Sequence, residues 1–211
     1  MKAAFNRLSN VSVPLVLSSA AVLVALQSCS ASAPIQPKPP VGQPAPDFSL
    51  LDLAGKTVKL SDYKKKFVVL EWFSDECPFV HKHYDSGNMQ ALQKEAVAKG
   101  VVWLTICSSA PGRPGYHESE EQQQIVKKWK GSMSDFLTDA SGNVGRMYGS
   151  KNTPTMFVIG KGGTLLYEGA IDDNPDADPA SVKGAKNYVR QALDQATSGK
   201  EVSISATKAY G

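Results

Sequence analysis

The sequence predicts one mixed α/β domain: a central β-sheet flanked by helices on both faces, with an N-terminal β-hairpin extension. Three observations predict it. Residues 67–73 and 101–106 are nearly continuous apolar, β-branched and aromatic runs, the mark of strands covered on both sides. A segment of helical character opening at Pro78 separates them. Residues 155–159 and 164–167 flank Gly160-Lys161-Gly162-Gly163 as an antiparallel hairpin, and a terminal helix follows. Strands and helices in this alternation imply a mixed sheet between helical layers. The 211 residues suffice for one such domain with appendages. A composition of 42% hydrophobic and 20% charged residues excludes a disordered polymer and a polytopic membrane protein.

Each element has a local reason. Residues 47–50 and 57–60 are short alternating runs around Ala54-Gly55-Lys56, a turn signal, and predict a hairpin. Residues 67–73 predict the central strand. Pro78 suits a first helical turn, where its missing N–H has no intrahelical partner, and the helix extends to about residue 99. Asp85-Ser86-Gly87-Asn88 kinks or interrupts it. Residues 118–130 form a polar helix with an apolar stripe of Ile125, Val126 and Trp129. Phe136 and Leu137 mark a short strand, residues 144–148 a short helix and residues 180–196 the closing helix.

The N-terminus reads as an address. Lys2 and Arg7 precede an uncharged, largely apolar run over residues 11–26, the build of a secretory signal segment. It is short and Ser-rich for a permanent span, which leaves an uncleaved anchor as the least favoured alternative. The run stops at Leu26-Gln27-Ser28-Cys29, which resembles a bacterial lipoprotein processing box and makes Cys29 the expected lipidation site. Cleavage after Ala31-Ser32-Ala33, giving a soluble secreted protein, is the alternative, and Pro34 opposes it. Residues 1–28 are thus expected to be a signal peptide, residues 29–40 a Pro-rich linker and residues 41–211 the folded domain. Residues 33–46 hold six prolines, a composition that favours extended spacers. Removing the signal takes away two basic residues and no acidic one, so the remainder is almost neutral. The whole-chain charge of +3, without a basic stripe bearing interleaved aromatics, gives no support for nucleic-acid binding. The runs Lys64-Lys65-Lys66 and 118–121 read as solvated surface.

The chemistry concentrates at Cys77. Three cysteines, at 29, 77 and 107, cannot build a disulfide framework or a four-thiolate zinc site. Cys77 comes four residues after a buried strand and directly before a helix-starting proline. That places its sulfur at a helix N-terminus, where unpaired amides and the helix dipole favour a thiolate. An inert buried cysteine is the alternative. His81, four residues on, shares its helical face, and Lys82 beside it is expected in solvent. Cys107 ends the neighbouring strand, on the same rim as Cys77. It is a possible resolving partner, or a plain buried thiol. Cys77, His81 and His117 could instead form a soft-plus-imidazole copper or metal set in a non-catalytic module. The Gly- and Pro-rich loop over residues 108–117 rims the site.

With these residues in place, the chain resembles the thioredoxin-like superfamily, within it the redoxin or peroxiredoxin-like branch. The resemblance runs from Val41-Gly42-Gln43-Pro44-Ala45-Pro46-Asp47-Phe48 through Cys77-Pro78-Phe79-Val80, His83-Tyr84 and Ser108-Ser109-Ala110-Pro111-Gly112 to Thr153-Pro154-Thr155-Met156-Phe157-Val158-Ile159. It implies a thioredoxin-like fold, and Cys77 takes the place of the first cysteine of C-x-x-C. Val80 stands where the second would be, so no local disulfide can form. The buried acid six positions before that cysteine, a proton acceptor in thioredoxins, falls on Glu71; inside an apolar strand its pKa is expected to rise. Pairing with a lysine such as Lys82 is the structural alternative. Thr153-Pro154 resembles the cis-proline that lies against the active cysteine and presents a backbone edge to substrate. Of the peroxiredoxin T-x-x-C, Ser74 could imitate the threonine. The peroxiredoxin arginine has no counterpart, since neither Arg113 nor Arg146 matches it, and this weakens the electrostatic case for peroxide reduction.

The expected function is that of a cell-envelope redoxin, an oxidoreductase whose single thiolate at Cys77 performs thiol-disulfide exchange. A peroxiredoxin-like thiol peroxidase and a metal- or thiol-binding module are the alternatives. The expected partners are protein thiols and disulfides or peroxide, an external thiol reductant, and the membrane through Cys29. No cofactor and no metal are expected.

Overall fold

The computed structural model describes residues 38–211 of the chain. The expected signal peptide over 1–28, the lipidation site Cys29 and most of the linker over 29–40 lie outside the described residues. Among the described residues no helix is long and apolar enough to cross a membrane.

Seven strands form one mixed sheet: β1 (Ser49–Asp52), β2 (Thr57–Lys59), β3 (Val68–Trp72), β4 (Val102–Cys107), β5 (Asp135–Thr138), β6 (Thr155–Ile159) and β7 (Leu165–Gly169). Their spatial order is β2-β1-β5-β4-β3-β6-β7. β3, β4 and β5 run parallel, with Glu71 opposite Thr105 and Trp72 opposite Ile106. β6 joins β3 antiparallel, and the N-terminal hairpin joins β5 antiparallel through β1. Every residue of β3, β4 and β6 is buried, as their apolar runs require. The molecule is therefore the thioredoxin-like α/β architecture that the sequence predicts.

The two sheet faces carry separate apolar layers. On one, Val69, Phe73 and Trp103 pack against α1 (Pro78–Asp85), α2 (Asn88–Ala98) and α5 (Tyr188–Thr197) through Val80, Tyr84, Leu92, Ala96, Val189 and Leu193. Ile125, Val126 and Trp129, the stripe of α3 (Ser119–Lys128) and its C-cap, pack against the same layer. On the other face Leu70, Trp72, Leu104 and Phe157 meet Val144 and Tyr148 of α4 (Asn143–Tyr148), with Phe48 and Leu60. Tyr148 reaches through this layer to donate a 2.6 Å hydrogen bond to the Pro46 carbonyl, tying the N-terminal segment down.

Two helical expectations are refined. The segment from Pro78 divides at Gly87, whose φ of 75° is left-handed and ends one helix before the next begins. The closing helix does not start near residue 180: a 3-10 turn covers Pro179–Val182, and α5 begins at Tyr188. Asn187 sets that start, its side chain accepting the Arg190 amide at 2.8 Å.

Beyond α5 the chain returns to the β7 edge. Ala206 pairs parallel with Glu168, and the Thr207 amide donates to the Glu168 carbonyl at 3.0 Å. Thr207 then crosses Gly169, which has a φ of 138°. A Cβ at 169 would overlap the Thr207 hydroxyl and carbonyl. The substitution Gly169→Ala is expected to lower stability by about 1–3 kcal/mol, the usual cost of forcing atoms into a filled site. Gly162→Ala, with nothing within 4 Å of the added carbon, is expected to leave the urea midpoint almost unchanged. Equal midpoints for the two variants would show that the tail does not press on β7.

Candidate active site

The site sits where β3 ends and α1 begins. Cys77 occupies the N-cap of α1 in extended backbone geometry (φ −81°, ψ 121°), and Pro78 is the first helical residue. The Cys77 carbonyl accepts the Val80 and His81 amides, both at 3.0 Å, and these bonds start the helix. The sulfur is half-buried and its thiol is free. Its partner stands at the head of the neighbouring strand: Sγ donates to the Thr153 carbonyl at 2.9 Å. Thr153 precedes Pro154 through a cis peptide bond at the entry to β6. No side chain caps the α1 amides, so Sγ lies at the helix terminus without accepting an amide hydrogen itself.

Glu71 lies inside the sheet at zero exposure. Four side chains donate to its carboxyl: Trp103 at 2.7 Å, Tyr84 and Thr105 each at 2.9 Å, and Gln93 at 3.0 Å. Gln93 also donates to Tyr84 at 3.0 Å and accepts the Ser132 amide at 2.8 Å. One carboxyl thereby joins β3, β4, α1, α2 and the turn before β5. Burial pushes the Glu71 carboxyl above its ordinary 4.5, against the opposing pull of these four hydrogen bonds. Cys77 is not among its hydrogen-bond partners. The expected alternative partner, Lys82, is also elsewhere.

Lys82 corrects a sequence expectation. It is not in solvent but fully buried, where its ammonium meets Asp172 at 3.4 Å, Tyr210 at 3.4 Å and the Asn174 carbonyl. His83 is buried beside it, 3.2 Å from the Tyr210 hydroxyl, and burial holds its imidazole down to about 4, so it is neutral at neutral pH. The Tyr210 hydroxyl closes the cluster on Asp172, and its ring meets Phe79 edge-on at 5.5 Å. No local signal marks this arrangement, because Asp172 and Tyr210 lie 90 and 128 residues from Lys82. The cluster pins the C-terminal tail to α1. At its end Gly211 abuts the Thr153 backbone so closely that a Cβ would overlap the carbonyl. Asn152 helps hold it, donating to the Ala209 and Gly211 carbonyls at 3.3 and 3.4 Å.

The histidines near Cys77 are engaged with other groups. His81 turns along the helix to Asp85 at 3.1 Å and sits edge-on to Trp129 at 4.9 Å. His117 bridges Asp75 at 2.8 Å and Glu121 at 3.2 Å. Burial works against the His117 charge, but the hydrogen bonds and charges of Glu121 and Asp75 outweigh it and raise the pKa. This bridge, which the sequence reading did not assemble, pins the rim loop to the turn just before Cys77. Among the described residues no three His, Cys, Asp or Glu side chains come together as a metal ion requires, and the Cys77, His81 and His117 set is not assembled. Ser74 lies against Gly115 of the same loop. Arg146 of α4 donates to the Ser141 carbonyl before the helix and to the Asn143 side chain at its start. Cys107 is buried at the end of β4, free, and donates to the Gly115 carbonyl at 3.3 Å. Burial pushes the Cys107 thiol up.

A protein-family model, described as the AhpC/TSA family, matches residues 41–168, more than half of the chain, and the chain belongs to that family. Thiol-disulfide oxidoreductase ResA of Bacillus thuringiensis subsp. konkukian is 27% identical over 131 residues, 61% of this chain and 68% of that protein. Thioredoxin-like protein YneN of Bacillus subtilis is 29% identical over 124 residues, 59% of this chain and 68% of that one. Among solved structures, a conserved protein from Geobacillus kaustophilus superposes with a TM-score of 0.69 at 23% identity, covering 81% of this chain and 87% of that chain, and shares the fold. The chain is a thioredoxin-like redoxin.

The Glu71 geometry sets a pH dependence. The folded carboxyl titrates above the unfolded one, so the folded protein holds an extra proton between the two values. Glu71's contribution is therefore fully present below about 4.5 and lost as pH rises through the folded value. Urea midpoints measured across this window are expected to carry that decline in the parent protein and to lack it in Glu71→Gln. Trp103→Phe, which deletes the shortest of the four donors, is expected to cost about 1–3 kcal/mol. Parallel pH curves for parent and Glu71→Gln would show that Glu71 titrates alike in both states.

Proposed function

From membership of the AhpC/TSA family and the likeness to ResA, we propose that this chain is a cell-envelope thiol-disulfide oxidoreductase working through the single thiol of Cys77. One observation carries the proposal: a half-exposed sulfur at the α1 N-cap, 2.9 Å from the carbonyl that precedes a cis-proline, with buried Val80 where a second cysteine would stand.

In the reaction, the Cys77 thiol loses its proton to solvent and the thiolate attacks one sulfur of a substrate disulfide. A Cys77–substrate S–S bond forms, the substrate S–S bond breaks, and the leaving sulfur departs as a thiolate that takes up a proton. An external thiol, deprotonated, then attacks the substrate-side sulfur. A new disulfide leaves, and the Cys77 thiolate is restored. The Thr153 carbonyl holds the resting thiol, and Pro154 fixes where that carbonyl points. Glu71 acts at a distance, by fixing Tyr84 on the helix that Cys77 caps, and His81 acts through the same helix. Cys107 could resolve the mixed disulfide only after its buried thiol is uncovered, which favours an outside thiol as the resolving partner. Residues 108–117, held by His117, border the opening.

The envelope setting is supported by the sequence alone: Lys2 and Arg7, the apolar run over 11–26, and the Leu26-Gln27-Ser28-Cys29 box. The Pro-rich residues after Cys29 then serve as a spacer.

Reduction of a model disulfide by the purified protein with an external thiol is expected to fall at least about 100-fold in Cys77→Ser and to persist in Cys107→Ser. Mass spectrometry of the Cys107→Ser variant is expected to trap the substrate on Cys77. Unchanged turnover in Cys77→Ser would sink the reading. Faster sulfenic-acid formation at Cys77 with dilute peroxide than exchange with disulfide would move the assignment to thiol peroxidase.

A further inference from the structure

We propose that a basic groove at the end of the sheet opposite Cys77 docks on the anionic headgroups of a phospholipid bilayer; the proposal rests on the envelope-anchored reading above. The groove has a volume of about 520 Å³ and lies beside the start of β3 and the β6–β7 turn. Leu60, Val68 and Ile159 give it an apolar lining. Lys64, Lys65, Lys66 and Lys161 border it, and all four are exposed.

The backbone gathers these charges. The Lys65 amide donates to the Lys161 carbonyl at 3.1 Å, and the Lys66 amide folds back to the Tyr63 carbonyl at 3.0 Å, so two loops distant in sequence meet at one rim. Lys65 has a φ of 71°, a left-handed conformation that glycine or asparagine adopts at lower cost. A lysine there keeps a cation at a position whose backbone favours a smaller residue. Lys161 stands over the Phe67 ring at 5.4 Å, which holds its ammonium at the rim. Among the described residues none of the four lysines is in a salt bridge. The nearby carboxylates are turned to backbone amides: Asp47 accepts from Phe48 and Ser61 at 3.0 and 2.9 Å, and Asp62 from Lys59 at 3.2 Å.

Unpaired cations around an apolar floor match the chemistry of a phospholipid surface, phosphate above hydrocarbon. The chain outside the described residues supports the same occupant. Cys29 precedes Lys38 by nine residues, which reach roughly 30 Å when extended. A five-residue strand such as β3 spans roughly 15 Å. Lys38 pairs with Glu168 at 2.7 Å, towards the Cys77 end of the sheet, and the tether is long enough to run from there back past the sheet, so that the groove can rest on the bilayer that anchors it. Cys77, beyond the far end of β3, then faces away from the lipid. The exposed charges near that end are of mixed sign, Glu76, Asp173, Asp176 and Asp178 with Arg113, Lys151 and Lys208, so the two ends of the sheet differ in their attraction to an anionic surface.

The test uses the membrane-extracted full chain reconstituted with phosphatidylcholine vesicles, with or without phosphatidylglycerol. Lysine acylation by a water-soluble reagent is read by mass spectrometry, and association by flotation. Docking predicts that Lys64, Lys65, Lys66 and Lys161 label about fivefold more slowly with phosphatidylglycerol. Lys127, Lys128 and Lys130 should be unaffected, and high salt should reverse the protection. The double variant Lys64→Glu/Lys66→Glu should lose the protection and keep Cys77-dependent disulfide reduction. Flotation with both vesicle types but equal labelling overturns the docking and leaves the anchor standing. Flotation only with phosphatidylglycerol, with the four lysines protected, supports the docking and removes the anchor. Flotation with neither removes both. Equal protection by inorganic phosphate without vesicles overturns the bilayer as occupant and makes the groove a phosphate site.

Discussion

The buried carboxyl of Glu71 is the constraint around which the domain is arranged. A carboxyl at zero exposure is tolerated only when its lone pairs are used, and four donors use them. Those donors come from β4, α1 and α2, so a single desolvated group sets how the helices lie on the sheet. Losing any one donor leaves the others holding a carboxyl that burial pushes toward its neutral form. The polar centre is surrounded by the largest apolar layer, with Phe73 meeting Tyr84, Trp129 and Phe136 edge-on at 5.4–5.6 Å. Apolar packing supplies the cohesion. The hydrogen bonds supply the alignment, because they are directional and packing is not.

That alignment places the sulfur. Tyr84 anchors α1 from beneath, and the Lys82–Asp172–Tyr210 cluster anchors it from the side. With two faces of the helix fixed, its N-cap residue has one position, against Thr153 at the head of β6. β3 and β6 are neighbours in the sheet, so the ladder that pairs Trp72 with Thr155 also sets the gap between the cysteine turn and the proline turn. The Cys77 thiol and the backbone edge beside it are thereby held by rigid elements, while among the described residues the salt bridges of the loop that borders them are those of His117.

Much of this was legible in the residues. The run over 67–73, Pro78 after Cys77, and Thr153-Pro154 before an apolar strand each carry a local signal, and each has its expected place in the fold. Glu71 was legible as a buried acid, since it interrupts an apolar strand. Its four partners were not: Trp103 and Thr105 lie in an apolar strand run and Tyr84 and Gln93 in a helical segment, with no local mark of an acid partner, and only the pairing of β3 with β4 and the docking of the helices converge them. Lys82 misled for the same reason. A lysine on an eight-residue helix reads as solvated, and its burial is decided by an aspartate and a tyrosine that arrive from the far end of the chain. The closing helix was misplaced because Asn187, a local cap, outweighs the helical pattern before it.

By itself the sequence determined the elements, their types and the one cysteine that precedes a helix-starting proline, because periodicity, turn residues and proline act within a few positions of the chain. It also determined that no second cysteine stands at position 80. Only the tertiary structure decided which donors meet Glu71, where His81 and His117 point, that Cys107 is covered, and that the chain's own tail lies on Thr153. These are contacts between residues tens of positions apart, and their energies depend on burial and on distances of about 3 Å. Neither quantity is written in local sequence, since both come into being only when the sheet closes and the helices settle on it.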